Sequence, residues 1–408
     1  MLIDRSWLNA PETRRLIAAL DAAGVDFRFV GGVVRDALLG RPISDIDLAT
    51  PAPPQDIMRA VSAAGLKAIP TGIAHGTITA LVDQRHFEIT TLRRDVATDG
   101  RHAVVAFTAD WRQDAARRDF TMNALYADRA GTITDFFGGE ADARAGKVRF
   151  IGDPAQRIVE DALRILRFFR FHAWYGAAEL DPAGVAACAA LAPMIDRLSG
   201  ERIREELFKL LRAPDPVAVW QAMIAEGVAA HIAPGALRVD DLARLCAAEK
   251  ELNLAANPLL RLAALLGDAL PDQATELKAS LKLSNRDAER LTAVGALVDR
   301  VGWVERVEFA RALYGAELDW VLDAALLANV RTGRPKMESL VALQRFLPSW
   351  REPRFPLSGA DLAARGIPPG PEMGKLLKQV EEWWVAEGLT KGRDECLAEL
   401  ERLCAADA

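Results

Sequence analysis

Two aspartates, Asp45 and Asp47, flank Ile46 in the segment GGVVRDALLGRPISDIDL. In an extended strand side chains alternate, so residues two apart share a face and lie about 6–7 Å apart along the chain. A carboxylate pair at that spacing suits magnesium ions and the triphosphate tail of a nucleotide. The ions would activate an attacking hydroxyl and stabilise departing pyrophosphate. Aspartates two apart also occur in loops and solvated strands, and Asp45 has a second role open to it as a turn residue after Ser44. Asp47 has no such alternative, because Ile46 and Leu48 flank it. Upstream, Gly31-Gly32 permits a tight turn, and amides opening the next helix can meet an anion. Arg35 lies one turn into that helix, so Gly32 and Arg35 join the aspartates as a candidate triphosphate site. Glu88, in HFEITTLR, offers either a third carboxylate or a surface charge.

These residues need a sheet to carry them. Phe27, Phe29 and Val30 lead into the glycine pair as strand and turn, followed by a helix through Val33–Leu39 that Gly40 closes. Ile43–Ala49 reads as the next strand, ended by Pro51, Pro53 and Pro54, with a helix over 55–64. Further strands are predicted over Lys67–Pro70, Gly76–Val82 and His86–Thr91. From Arg93 to Asp114 the chain is polar, lacks a clean period and reads as a loop. Thr121–Tyr126 and Thr132–Phe136 add short elements near the site. After residue 150 helical periodicity dominates. It predicts one helix over 155–175, another over 200–212 and a succession continuing through 304–313 to 392–404.

The chain has 408 residues, which calls for two to four domains. Half the residues are hydrophobic and the net charge is only -6. That composition excludes a disordered chain and wholesale coating of nucleic acid, while permitting a local basic cleft. Cys188, Cys246, Cys396 and Cys404 are spread without a CxxC pair, so neither structural zinc nor disulfides are expected. The stretch MLIDRSWLNAPETRR has no long apolar core, and no apolar run reaches membrane-spanning length. A cytoplasmic protein with no membrane partner is the expectation. Trp7, Trp111, Trp383 and Trp384 suit core packing or stacking on RNA.

Three more segments follow in order: RRDFTMNAL at 117–125, GDPAQRIVEDALRILRFFRF at 152–171 and SGERIREELFKLL at 199–211. Together with GGVVRDALLG and DID they resemble the signatures of the class II tRNA nucleotidyltransferase and bacterial poly(A) polymerase family, within the polymerase-beta-like nucleotidyltransferases. The resemblance implies an α/β polymerase-beta-like nucleotidyltransferase head with a mixed sheet over 1–150. An all-helical neck (151–212), body (213–330) and tail (331–408) would follow. It implies nucleotide addition to an RNA 3′ end without a nucleic-acid template, with Mg2+ held by Asp45 and Asp47. Gly32 and Arg35 become triphosphate contacts, Arg118 a nucleotide contact, Asp119 a ribose reader or support for that arginine, and Asn123 an organiser.

In EDALR, Asp161 and Arg164 are three apart, which a helix puts on one face. An i,i+3 salt bridge is the ordinary expectation. The resemblance implies instead that this pair selects cytosine and adenine through Watson-Crick-like bonds. Glu160 is spaced to fix Arg164, while Arg167 and Arg170 extend toward phosphate or remain solvated neck charges. The implied reaction is completion of the CCA end of tRNA, with ATP and CTP as substrates and tRNA lacking all or part of its CCA end as partner. A poly(A) polymerase, a CC-only or A-only enzyme and a noncatalytic RNA-binding protein are the alternatives. AIPTGIAHGTITALV lacks the arginine-rich strand of the poly(A) branch, which favours CCA addition.

Overall fold

The computed structural model describes residues 6–99, 102–177, 179–233, 235–267, 270–301, 311 and 313–406. The helix expected over 304–313 lies almost wholly outside the described residues. The chain separates into two compact units, Met1–Pro234 and Gly235–Ala408.

Among its described residues the first unit has nine strands: β1 (Arg28–Val30), β2 (Ile46–Thr50), β3 (Lys67–Gly72), β4 (Thr77–Val82), β5 (Arg85–Thr91), β6 (Arg93–Asp99), β7 (His102–Phe107), β8 (Leu125–Ala127) and β9 (Ile133–Asp135). Seven form one sheet in the order β3-β4-β5-β2-β1-β8-β9. The β2–β5 pair is parallel and the rest antiparallel, so the sheet is mixed, as expected. Its helices are α1 (Pro11–Ala22), α2 (Gly32–Leu38), α3 (Pro54–Ala63), α4 (Trp111–Ala116), α5 (Gly139–Arg144), α6 (Pro154–Glu160), α7 (Leu163–Tyr175), α8 (Pro182–Leu191), α9 (Gly200–Leu211) and α10 (Val217–Ala225).

Strand alternation decides which way the site faces. Ile46 and Leu48 of β2 enter a core with Leu16 and Leu20 of α1 and Ile57 and Val61 of α3. Ala49 belongs to a second cluster, with Val30, Ala115, Ala124 and Tyr126. Asp47 therefore shares the face of Ala49, away from the larger core. Trp7 and Trp384 are buried, the first packed edge-on against Phe29. Burial commits both to packing.

Three local expectations are corrected. First, β2 starts at Ile46 rather than Ile43, which leaves Asp45 exposed in the preceding loop. Pro42 has no amide to donate, and the Ser44 hydroxyl donates to Asp45 Oδ2 at 2.9 Å, so local bonds replace the ladder there. Second, the polar stretch from Arg93 is no loop: β6 and β7 pair as an antiparallel hairpin with a register shift between Asp95 and Ala97. Asp110 then caps α4, accepting from the amides of Arg112 and Gln113. The irregular register hides the strand period, while the β-branched and aromatic residues of HAVVAF supply the propensity. Third, the helix expected over 155–175 is two helices, α6 and α7. Asp161 between them is extended (φ −155°, ψ 105°). Its carboxylate accepts from the Leu163 amide at 3.1 Å, the capping interaction that short acidic side chains offer in competition with helix continuation.

The second unit is helical among its described residues, from Val239–Glu251 through Leu318–Thr332 to Arg393–Ala406. Its last helices enclose their own cluster, formed by Leu362, Leu376, Val380, Trp384 and Leu400. A buried Arg261–Glu249 ion pair at 2.7 Å braces two earlier helices. Among the described residues no helix is long and apolar enough to cross a membrane.

Candidate active site

A cavity of about 610 Å³ opens in the first unit and gathers residues from widely separated segments. Gly31, Gly32, Arg35, Asp45 and Asp47 line it, as do Arg118, Asp119, Asp161, Arg164, Arg167 and Arg170. Glu88 is the one sequence-selected site residue outside this lining. It is exposed on β5, directly across the parallel ladder from Asp47.

The floor of the cavity carries unbalanced negative charge. Burial pushes the Asp47 carboxyl up to about 6, with Glu88 and Asp45 adding to the effect and Arg118 opposing it. The neighbouring carboxylates thus disfavour ionisation of Asp47, a situation a cation reverses. Among the described residues no group of three or more His, Cys, Asp and Glu side chains is placed to hold a metal. Asp45 and Asp47 nevertheless fit a hard divalent cation that takes one or two carboxylates and completes its shell with phosphate and water oxygens. Beside them Gly31 turns with φ +73°, and a Cβ there would meet Arg118 Nη1 at 3.5 Å. That distance is an ordinary contact, so it is the positive φ of the turn that favours glycine here.

Arg35 is buried and held on several sides. It donates through Nε and Nη2 to Asp36 at 3.0 Å, through Nη1 to Asn123 Oδ1 at 2.6 Å and through Nη2 to the Tyr175 hydroxyl at 2.6 Å. Its guanidinium also stacks over the Tyr175 ring at 4.0 Å. Only one of its five N–H groups is left for a ligand among the described residues, so bracing of the α2–α7 contact is its main visible role. Asn123 donates to Asp119 Oδ1 at 3.0 Å, which continues the brace to the next residue of the cavity.

The opposite wall is rich in arginine, and buried carboxylates hold it in place. Asp114 bonds Arg117 at 2.8 Å and Arg118 at 3.2 Å, and accepts from the Tyr126 hydroxyl at 2.7 Å. Burial alone would raise its carboxyl, but these partners outweigh burial and hold it at about 2. Asp119 is likewise held at about 2: Arg167, the Asn123 amide and the Phe120 N–H overcome burial. Among the described residues Arg118 has no hydrogen-bond partner for its buried Nε, beside the cavity. That open donor makes it a candidate for phosphate or nucleotide contact.

The Asp161 and Arg164 side chains do not bond each other among the described residues; only the Arg164 amide donates to the Asp161 carbonyl, at 3.0 Å. Arg164 donates to Glu160 at 2.6 Å, the i,i+4 contact its spacing suggests, and to the carbonyls of Arg157 at 2.7 Å and Arg117 at 3.2 Å. Two of its N–H groups stay available among the described residues. Asp161 is instead gripped by Arg202 of α9, whose Nη2 reaches Oδ1 at 3.1 Å and Oδ2 at 2.9 Å. Glu206, one turn further along α9, accepts from Arg170 at 2.5 Å and Arg167 at 3.5 Å. Arg167 and Arg170 are therefore ion-paired rather than freely solvated.

Sequence reasoning assigned no place at the cavity to Asp114, Tyr175, Arg202, Glu206 or Lys209. The last four lie on α7 and α9, and the 202, 206, 209 spacing is a helix face visible in the sequence. For Asp114 there was no such signal, because its burial follows from packing against Tyr126.

Comparison with known proteins gives the same frame. Residues 27–149 match the family model described as the poly A polymerase head domain, and residues 179–238 match a probable RNA and SrmB-binding site of polymerase A. A mitochondrial CCA tRNA nucleotidyltransferase 1 from Mus musculus is 36% identical over 386 residues, covering 92% of this chain and 87% of the relative. A CCA-adding enzyme from Limosilactobacillus fermentum is 33% identical over 380 residues, covering 91% and 93% of the two chains. The crystal structure of the Bacillus stearothermophilus CCA-adding enzyme in complex with CTP superposes with a TM-score of 0.79 at 29% identity, covering 97% of this chain and 98% of that one.

Proposed function

We infer that this chain, which belongs to the CCA-adding tRNA nucleotidyltransferase and poly(A) polymerase family, adds CMP and AMP to the 3′ end of tRNA from CTP and ATP. The observation that carries this is its similarity along nearly its whole length to CCA-adding enzymes, 36% identical across 92% of the chain. A cavity joining carboxylates to a wall of arginines supports the same chemistry. The RNA 3′ hydroxyl attacks the nucleotide α-phosphate, and pyrophosphate leaves.

Nucleotidyltransferases of this family work with a divalent metal, and we propose Mg2+, held by Asp45 and Asp47. Bound there, it would lower the pKa of the attacking hydroxyl and neutralise phosphate charge. Glu88 supports Asp47 from the next strand by raising the local demand for a cation. Arg118 and Gly32 meet the triphosphate, and Arg35 holds Asn123 and thereby Asp119, the ribose-facing group. Arg167 keeps Asp119 ionised and, with Arg170, gives the wall its positive charge. Asp161 accepts from the base, and the two open N–H groups of Arg164 donate to it. Cytosine and adenine suit this pair, since each presents an amino group beside a ring nitrogen acceptor.

We assign the head to 1–150, the neck to 151–212, the body to 213–330 and the tail to 331–408, with tRNA held by shape and backbone. A cytoplasmic site of action is proposed. The cysteines Cys188, Cys246, Cys396 and Cys404 are all free, as a reducing compartment keeps them. The test is incubation with tRNA lacking CCA, CA or A, supplied with CTP, ATP or both. Ordered completion that stops after one A is expected. Open-ended adenylation from ATP alone would overturn the assignment, and CC-only or A-only products would mark a specialist.

A further inference from the structure

We propose that Arg202 determines base specificity by positioning Asp161, fixing its carboxylate as an acceptor turned toward the nucleotide. The proposal rests on the assignment of Asp161 and Arg164 as the base-reading pair. It adds a residue outside the cavity lining, on a different helix, acting through Asp161.

The geometry begins with the break between α6 and α7. Because Asp161 ends α6 in an extended conformation, no regular helical turn orients its side chain. Two contacts do so instead. The Leu163 amide takes Oδ1 at 3.1 Å, and Arg202 Nη2 straddles Oδ1 at 3.1 Å and Oδ2 at 2.9 Å. The remaining lone pairs belong to a residue lining the cavity. Arg202 is only about a quarter exposed, at 27% of its side chain, so this pair is not a freely solvated surface contact. The same face of α9 carries Glu206, which holds Arg167 and Arg170, and Lys209, which lines the cavity itself. One helix face thus holds two side chains of α7 and the carboxylate at the α6–α7 break.

The chemical consequence concerns sign. A carboxylate paired with a guanidinium accepts hydrogen bonds and donates none. It matches the amino groups of cytosine and adenine and opposes the carbonyl oxygens that uracil and guanine place at the equivalent edge. Without Arg202 the carboxylate is held by a single amide and can rotate away from the base. Losing one well-oriented bond to a charged group corresponds to roughly tenfold to hundredfold in preference.

Single-turnover incorporation onto tRNA lacking CCA, with CTP, ATP, UTP or GTP as sole nucleotide, tests this. Arg202→Met is expected to reduce the CTP-over-UTP preference about tenfold or more, and Arg202→Lys to restore most of it. An unchanged CTP-over-UTP ratio in Arg202→Met would overturn the proposal. A uniform rate loss for all nucleotides would do the same, because that is what a merely structural role produces. Asp161→Asn separates the layers. If it alters base preference while Arg202→Met does not, the base-reading pair stands and Arg202 has no part in it. If neither does, the pair itself is misassigned. Should Arg202→Met fail to fold, Arg202→Gln keeps a donor, removes the charge and carries the same comparison.

Discussion

The two sides of the cavity handle buried charge in opposite ways. On the sheet side, Asp47 sits among other carboxylates, and burial, Glu88 and Asp45 push it up to about 6. On the helical side, Asp114 and Asp119 are more deeply buried yet held at about 2, because guanidinium groups and hydrogen-bond donors surround them. A carboxylate with its cation built in is scaffold: its bonds orient the arginines. A carboxylate with no bonded cation is relieved by a proton or by a metal ion, and keeping it ionised in the fold costs stability.

The largest effect should come from the sheet side. Asp47→Ala is expected to lower incorporation at least about a thousandfold, since it removes several kcal/mol of transition-state stabilisation, while circular dichroism stays native. Near-normal incorporation would erase the contrast. Removing metal with a chelator should be equally severe and reversible by adding Mg2+, measured in the same assay. Next comes the wall. Asp114→Ala strands Arg117, Arg118 and the Tyr126 hydroxyl and should cost about 3–5 kcal/mol in denaturant unfolding. A cost under about 1 kcal/mol would mean that the carboxylate is not scaffold.

Arg164→Ala should shift the preference among nucleotides by roughly tenfold while leaving metal affinity in place; an unchanged ATP and CTP preference would reject its role. The pH dependence should carry both signs. Asp114 and Asp119, lowered in the fold, contribute stability that is present above the ordinary carboxylate range and lost as pH falls through about 2. Asp47, raised in the fold, contributes oppositely: its term is full below the ordinary range and lost as pH rises through about 6. The smallest effect follows. Metal-free Asp47→Asn should be about 1 kcal/mol more stable than the parent near pH 8 and no more stable near pH 4, read by thermal melting at both pH values.

How far these features could be read in advance varied by residue. Asp47 was legible because alternating Ile46 and Leu48 force it to the far face of a strand. Three further strands were legible as well, expected over 67–70, 76–82 and 86–91 and found over 67–72, 77–82 and 85–91. Asp161 was placed in the right segment but in the wrong conformation. Helical periodicity runs unbroken through EDALRILRFFRF, and nothing in the pattern shows that Asp161 would bond the Leu163 amide instead of continuing the helix. The hairpin over Arg93–Phe107 was missed because its pairing is irregular, so ordering comes from the partner strand rather than from a repeating period.

By itself, then, the sequence determined the chemistry: which carboxylates and arginines exist, their spacing along strands and helices, and the ordered motifs that tie them to nucleotide transfer. Those are local properties, set by side-chain type and by periods of two and 3.6. Which charges have partners was decided only by tertiary structure. Arg202 meets Asp161 across 41 residues, Arg167 meets Asp119 across 48, and Arg35 meets Tyr175 across 140. Such contacts depend on how elements far apart in the chain pack, and burial makes each one matter, because a charge removed from water must find its partner in the protein.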